Sequence, residues 1–581
     1  MPQLQGIGRP LFGFQFDSLD LQSSGTIKST SSTEPMDATE LQDGINTVLA
    51  LLIRTLQTSK QDIEALSTGR AVPEGCVPMG GESLLAYLNN PQHLEQLLGL
   101  SLSRSGGGIG SIEACSTEIL GYSINTSSPM FLDKLWATPS VPGIAADLLM
   151  SVINSNVHVF RTSPALSIIE KHVAKELAHL FGLGGLYSGG INVPGGAAAN
   201  HTALLIARNI RFPYCRASGL PQLGRRVAVF ASEAAHFSIK TAVQNLGLGT
   251  VSLNEIAASP NGCMDISALR TALDNAVRAG DIPLAVCATA GTTVRGAFDP
   301  LQDIAQLCKD YNTWFHVDAC WGGAAIFSEK LRYKLEGIDQ ADSIAYNPHK
   351  LLGIPQICSF LLGRDMRTFW SSNNIDAGYL FHQDTASKCQ SNGCGAGADT
   401  MNIEQFELDF GWRNTKAIRA APDPNKVYDL ASFTAQCGRR SDAVKLYFHW
   451  QYYGTEGLGR QIDIAFDTAL YLAWGINNQP CFRLLGDVEV PGPQVCFYYV
   501  GQGYERMASH SDEKRQNSQF TRMLSSGLLK RGWMVDYAPG SDKEGEIGDF
   551  LRVVCNRNTT VMVADGLLRA LLQTVKEDMH R

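Results

Sequence analysis

Lys350 stands in the stretch SIAYNPHKLLG, residues 343–353, in which a short apolar run with strand character meets Asn347 and Pro348. Proline has no N–H and pushes the residue before it out of the helical region, so the strand ends there and the lysine sits just past it. Open parallel sheets bind ligands at the carboxyl ends of their strands, and a lysine there can be desolvated into a nucleophilic amine. Three more segments read as strands that end in polar groups. Residues 226–232 run into SEAAHFS with His236, residues 284–289 into TAGTTVRGAFDP with Thr289, Thr292 and Thr293, and residues 314–318 finish at Asp318 before ACWGG. Taken singly, a lysine after a turn is more often a surface group, and a lone histidine or aspartate a satisfied structural one. Four strand ends of one parallel sheet converge in space, however, so His, Thr, Asp and Lys at those ends form a candidate site.

Upstream, GGINVPGGAAANHTALLIARN is a glycine-rich turn opening a helix at about Ala197. Glycines let the backbone approach a ligand closely, and the free N–H groups of a helix start bind an anion. The spacing is neither GxxxxGK[ST] nor GxGxxG, which disfavours a dinucleotide binder. An anion cradle, an acid at a strand end and a lysine after the next strand are what pyridoxal phosphate requires. The lysine forms the covalent link, and the acid keeps the ring nitrogen protonated so that the ring can accept electrons. Asp318 fits the acid, and His236 is the aromatic group that would lie on the ring face.

Elements must bring these residues together. From Gly143 helices and strands alternate, the mark of a mostly parallel sheet covered on both faces, with a long amphipathic helix at 164–183. From about Gln436 helices dominate, with strands expected at 494–500 and 550–556. Residues 1–36, rich in Ser, Thr, Gly and Gln, are expected to form a disordered arm. A helix should begin near Thr39, opening an N-terminal segment, 37–142, that wraps a neighbouring surface.

The 581 residues suffice for two or three domains, and 44% hydrophobic and 18% charged content is that of an ordinary soluble protein. A formal charge of −8 gives no electrostatic case for nucleic acid or an anionic membrane. No apolar stretch approaches the roughly 20 residues needed to span a bilayer, and no secretory signal is visible. Fourteen scattered cysteines, many within expected strands, fit reduced thiols in the cytosol. Only Cys389 and Cys394 lie close together, without a second pair or histidine cluster, so no metal is expected.

The segments VPGGAAAN, SEAAHFS, ATAGTTVRGAFDP, WFHVDACWGG and NPHKLLG, with QCGRRSDAVKL further on, resemble the group II pyridoxal-phosphate-dependent amino-acid decarboxylases. Within that group the likeness is to the glutamate and cysteine-sulfinate decarboxylases and their fungal relatives, and it runs from about Asp37 to the C-terminus apart from one insertion. It implies the α/β, fold type I architecture: a large domain, 143–435, on a mostly parallel seven-stranded sheet, and a smaller α+β domain, 436–581. It also implies a homodimer with active sites at the subunit interface. Carried over residue by residue, it makes Lys350 the Schiff-base lysine, Asp318 the partner of the ring nitrogen and His236 the stacking residue. Ala197 and Ala198 fall where backbone groups meet the phosphate, Thr289 matches a cofactor-side threonine, and Asn347 and His349 match the residues flanking the lysine. Where the family often has serine in the cradle this chain has Ala198, leaving more to backbone N–H groups.

The family's mobile loop follows GYLF, residues 378–381, and carries a tyrosine that reprotonates the substrate carbon in the partner's site. Counting back from QCGR at 436–439 places Tyr428 there. An insertion from about Thr385 to Lys426 interrupts the loop, as a lid, a spacer or a foreign stretch. FLRVVCN resembles the C-terminal strand whose arginine grips a substrate carboxylate, which makes Arg552 that residue. Lys134 and Arg161 fall on the substrate side, and their charges favour glutamate, aspartate or cysteine sulfinate, although Asp133 could neutralise Lys134 or accept a diamine. The expected activity is decarboxylation of such an amino acid to its amine and CO₂. The alternatives are an aromatic or basic substrate, an aldehyde-forming relative, against which Tyr428 counts, and a catalytically silent scaffold.

Overall fold

The computed structural model describes residues 38–68, 90–102, 104–220, 224–374, 416–501, 510–540 and 547–578. The expected disordered arm and most of the insertion lie outside these residues. The chain forms two compact units, one of residues 1–55 and 91–123 and one of residues 56–90 and 124–581. The first contains α1 (Ala38–Thr68) as far as Thr55, with α2 (Pro91–Leu98) and α3 (Gly108–Tyr122). A Cβ at Gly44 on α1 would be in ordinary van der Waals contact with Ile109 and Ile112 of α3.

The second unit is built on a seven-stranded sheet of β1 (Gly189–Val193), β2 (Val227–Ser232), β3 (Leu253–Ile256), β4 (Ile282–Thr289), β5 (Trp314–Asp318), β6 (Ser343–Tyr346) and β7 (Ser359–Gly363). Their spatial order is β1-β7-β6-β5-β4-β2-β3. β6, β5, β4, β2 and β3 run parallel, and β7 lies antiparallel between β6 and β1. β2, β4, β5 and β6 are buried along their whole length, which is why they read as continuous apolar runs rather than alternating ones. β1 carries GGINV, which as a sequence reads as a turn. It is a strand because β7 offers it an edge and leaves no room for a side chain at Gly190, where a Cβ would come within 2.7 Å of Leu362.

Helices cover both faces. On one side is α5 (Pro164–Leu180), and on the other α6 (Gly196–Arg211), with the two main apolar clusters separated by the sheet, while α4 (Val141–Ile153) packs outside them through Ala146 and Met150 against Leu166 and Val444. Helix α7 (Ala443–Asn477) is two helical halves meeting at Gly454, whose φ of 65° breaks the helical backbone. It leads to the antiparallel sheet β10-β11-β9-β8, made of β8 (Phe482–Leu484), β9 (Gln494–Tyr499), β10 (Asp536–Ala538) and β11 (Phe550–Val554), packed with α8 (His510–Lys530) and α9 (Val561–Asp578). A buried ion pair ties the layers: Arg439 of the QCGR segment pairs with Glu170 of α5 and also donates to the carbonyls of Val157 (3.0 Å) and Asn192 (2.9 Å). Among the described residues no helix is long and apolar enough to cross a membrane.

Candidate active site

Three parallel strands come into register near their carboxyl ends. Thr289 of β4 lies opposite Asp318 of β5, which lies opposite Ala345 of β6. The backbone N–H of Thr289 is held at 2.7 Å by the buried carboxylate of Asp299, whose pKa burial raises to about 6. After β6 the chain turns tightly, the Lys350 N–H donating to the Asn347 carbonyl at 3.0 Å and the Lys350 carbonyl accepting from Gly353 and Ala137, both at 3.1 Å. Gly353 has φ 65°, and a Cβ there would stand 2.6 Å from the Thr138 carbonyl, so only glycine lets this turn close.

Electrostatics link what the turn presents. The Lys350 charge acts on Asp318, His236, His349 and Cys320. Asp318 is buried, which works against its charge. The Cys320 thiol, Lys350 and Asn200 outweigh that burial and hold the carboxyl below its usual range, with the Cys320 N–H at 3.1 Å and the Asn200 amide at 2.8 Å among its donors. Burial pushes the His236 imidazole below its ordinary value, with Asp318 opposing and Lys350 adding. Its Nδ1 lies 2.8 Å from Ser238 Oγ. His349, pushed down to about 4 by burial, lies with Nδ1 2.7 Å from the Cys358 carbonyl.

Helix α6 starts at Gly195 (φ 105°) with no side-chain cap, so the first N–H groups, including those of Ala197 and Ala198, remain open to a ligand. A Cβ on Gly196 would meet Cys320 Sγ at 2.5 Å and Asn347 Nδ2 at 2.8 Å. Asn347 is buried, and its Oδ1 has no partner among the described residues. An uncapped helix start with the Asn347 amide N–H₂ beside Gly196, and a deprotonated buried carboxylate, suit a phosphate and a protonated ring nitrogen, so the residues present fit pyridoxal phosphate. Gly196→Ala should therefore crowd the cradle, at a cost of about 1–3 kcal/mol. Titration of apo protein with the cofactor should show it as an affinity loss of about tenfold or more; unchanged affinity would count against the cradle.

The other expected residues divide. Arg552 of β11 is buried. It pairs with Asp536 and donates to the Thr293 carbonyl at 2.9 Å, and its Nε is buried without a partner among the described residues. Lys134 pairs with Asp536 at 3.1 Å and with Asp133 at 3.3 Å, so its cation is shared between two carboxylates rather than bare. Burial works against the Lys134 charge, but Asp133 and Asp536 outweigh it and raise its pKa. From this cluster the segment 133–137 runs to the Lys350 carbonyl through Ala137. Arg161 is exposed on the 3₁₀ turn Phe160–Thr162, next to different partners: the Phe160 N–H donates to Asp429 at 2.8 Å. Tyr428 is 44% exposed, its ring on Phe160 and under the Lys171 ammonium, 4.4 Å from the ring centroid.

Sequence reasoning missed Asn200, His316, Asp299 and Asp536. The first two had a readable signal. Trp314, His316 and Asp318 alternate along β5 and so share one face, and Asn200 is the polar residue of the second turn after the cradle. Asp536 carried none, because it meets Lys134 across 402 residues.

A lysine, an acid and a histidine after the strand ends of a mostly parallel sheet, with an uncapped helix start beside them, are the arrangement of a fold type I pyridoxal phosphate enzyme. The chain belongs to the pyridoxal-dependent decarboxylase family, whose conserved-domain model matches residues 91–403 and 421–500. It is similar to a glutamate decarboxylase-like protein of Gibberella zeae, 44% identical over 82% of this chain and 90% of that protein. It is 36% identical to an L-aspartate decarboxylase of Metarhizium robertsii, over 92% of this chain and 96% of the other. The crystal structure of mouse CSAD superposes with a TM-score of 0.76 at 28% identity, covering 93% of this chain and 99% of that one. The protein is thus a pyridoxal-phosphate-dependent carboxy-lyase acting on an amino acid.

Proposed function

We propose that the enzyme removes the α-carboxyl group of an acidic L-amino acid, glutamate, aspartate or cysteine sulfinate, as CO₂ and releases the amine. The observation that carries the substrate reading is Arg552, a buried guanidinium whose Nε still has an N–H to give, beside the Lys134–Asp536–Asp133 cluster. Relatives named for glutamate and aspartate decarboxylation support it. The cofactor supplies the electron sink for the pair left behind as CO₂ departs. Lys350 anchors it, Asp318 holds the proton on its ring nitrogen, His236 limits the tilt of the ring, and Ala197, Ala198, Asn347, His349 and Thr289 seat the phosphate and ring. Arg552 orients the substrate carboxylate through its unpaired Nε–H, with Lys134 supplying positive charge on the side-chain side. The test is CO₂ and amine release by cofactor-loaded protein on a panel of acidic, aromatic and basic L-amino acids. Amine from the acidic members alone is the expected result, and amine from an aromatic or basic member alone would overturn the substrate assignment.

An acidic side chain entering the cluster must compete with Asp536 and Asp133 for Lys134. Asp536→Asn should therefore lower KM for the preferred acidic substrate by about threefold to tenfold, the scale of about 1 kcal/mol for a half-exposed charge, with kcat little changed. A raised KM would show that Asp536 is needed to hold the arginine in place.

We further propose a cytoplasmic homodimer in which Tyr428 delivers the proton to Cα in the partner's site. Buried free thiols at Cys287, Cys320, Cys358 and Cys496 support the compartment. Val141, Ile144, Leu148 and Val152 form an exposed apolar stripe on α4, which supports a second copy there. Lys350→Ala and Tyr428→Phe chains, each inactive alone, should on random mixing recover about a quarter of wild-type activity, since half the dimers are mixed and each has one intact site. No recovery would place Tyr428 in its own chain's site or outside catalysis.

A further inference from the structure

We propose that Asn200 is a positioning residue of this active site: its carboxamide, seated by His316, fixes Asp318 as a hydrogen-bond acceptor and His236 as the tautomer carrying its proton on Nε2. The argument runs along an unbroken buried chain whose ends have no freedom. At one end Trp314 Nε1 can only donate, and it donates to Ser343 Oγ at 2.9 Å. Ser343 Oγ still has its proton to give and lies 2.9 Å from His316 Nδ1. His316 Nε2 faces Asn200 Oδ1, which only accepts, at 2.9 Å, so Nε2 carries the proton and the Nδ1 of the neutral ring accepts from Ser343. At the other end Asp318 Oδ2 only accepts, and Asn200 Nδ2 donates to it at 2.8 Å. The amide cannot be reversed, because its oxygen would then face a carboxylate oxygen with no proton between them.

The second N–H of Asn200 Nδ2 goes to Ser238 Oγ at 2.9 Å. The Ser238 backbone N–H, which can only donate, gives its proton to His236 Nδ1 at 3.2 Å, and the Ser238 hydroxyl, whose own proton is still free, donates to the same nitrogen at 2.8 Å. Two donors converge on Nδ1, so the imidazole proton must be on Nε2. The geometry is set by the fold. His316 and Ser343 are register partners on β5 and β6, His316 and Asp318 share one face of β5, and Asn200 lies on the helix above them. Trp314, Ser343, His316, Asn200, Ser238 and Asp318 are all buried, so no water competes for these bonds. His316 stays neutral because burial pushes it down to about 4, against the pull of Asp318.

The inference rests on the reading of Asp318 and His236 as cofactor residues, but its first test does not need cofactor. In apo protein with nitrogen-15-labelled histidine, long-range proton–nitrogen spectra at neutral pH should show both His236 and His316 in the Nε2–H form, assigned through His236→Gln and His316→Gln. An Nδ1–H form at either overturns the proposal. The second test is cofactor affinity. His316→Gln keeps an N–H where Nε2 was and should bind pyridoxal phosphate within about threefold of wild type, whereas His316→Leu and Asn200→Leu should each weaken binding by about tenfold or more. Equal affinity of the two His316 variants would make His316 a packing residue and overturn the proposal. Wild-type protein that bound no cofactor would instead refute the underlying site reading, leaving the tautomers to judge the positioning.

Discussion

Lys350→Ala is expected to lower kcat by about four orders of magnitude or more, the scale on which removing a nucleophile from a catalytic unit acts. It is also expected to abolish the visible absorbance that marks cofactor bound to a lysine amine. Lys350 stands at the end of a turn closed by Asn347, Gly353 and Ala137, so its backbone position is set by main-chain bonds that alanine keeps. The cradle at Gly195–Ala198, the orphaned Asn347 oxygen and Asp318 lie outside the substitution. The variant should therefore still take up cofactor non-covalently while failing to turn over. Absorbance spectra and CO₂ release on the same preparation separate these two properties. Turnover retained at more than about one part in a hundred would be too high for a protein that had lost its covalent anchor, and Lys350 could not then hold that role.

Replacing Asp318 by Asn is expected to cost about two to three orders of magnitude in kcat, as for removal of one preorganised electrostatic partner of the reacting charge. The loss has two physical parts. The charge that would hold a proton on the ring nitrogen disappears. An amide at this position must also turn its N–H₂ toward one of two groups that already donate, the Asn200 amide at 2.8 Å or the Cys320 N–H at 3.1 Å, so one buried donor is left facing another. Cofactor affinity should fall together with kcat. Melting of the apo protein provides the control, since Asp318 is buried and its neighbours Asn200 and Cys320 are arranged for a carboxylate. An unchanged kcat would mean that the ring nitrogen is not protonated from this side.

Much of this arrangement was legible along the chain. The bounds of β5 and β6, and so the placement of Asp318 and Lys350, follow from short buried runs that end at a polar residue or at Asn-Pro. The helix start at Gly196 follows from glycines that allow φ above zero. Such signals are local: they depend on side-chain period and turn chemistry within about ten residues. The motifs around Ala197, His236, Asp318 and Lys350 therefore determined the fold class and the cofactor before any contact was known.

Tertiary structure decided the rest, for a physical reason that these residues share. The partners of Lys134 and Arg552 come together at Asp536; along the chain only Asp133 was in sight as a group that could neutralise Lys134, and the second carboxylate lies 402 residues away. Tyr428 was located by counting along the chain, but its neighbours Phe160 and Lys171 belong to segments more than two hundred residues earlier. Asn200 meets Asp318 across 118 residues and His316 across 116. A hydrogen bond or ion pair between distant residues leaves no periodicity or turn signature at either end. The sequence by itself determined which chemistry the strand ends could perform; which charges are shared, and which protons are held, was decided only when the sheet brought those ends together.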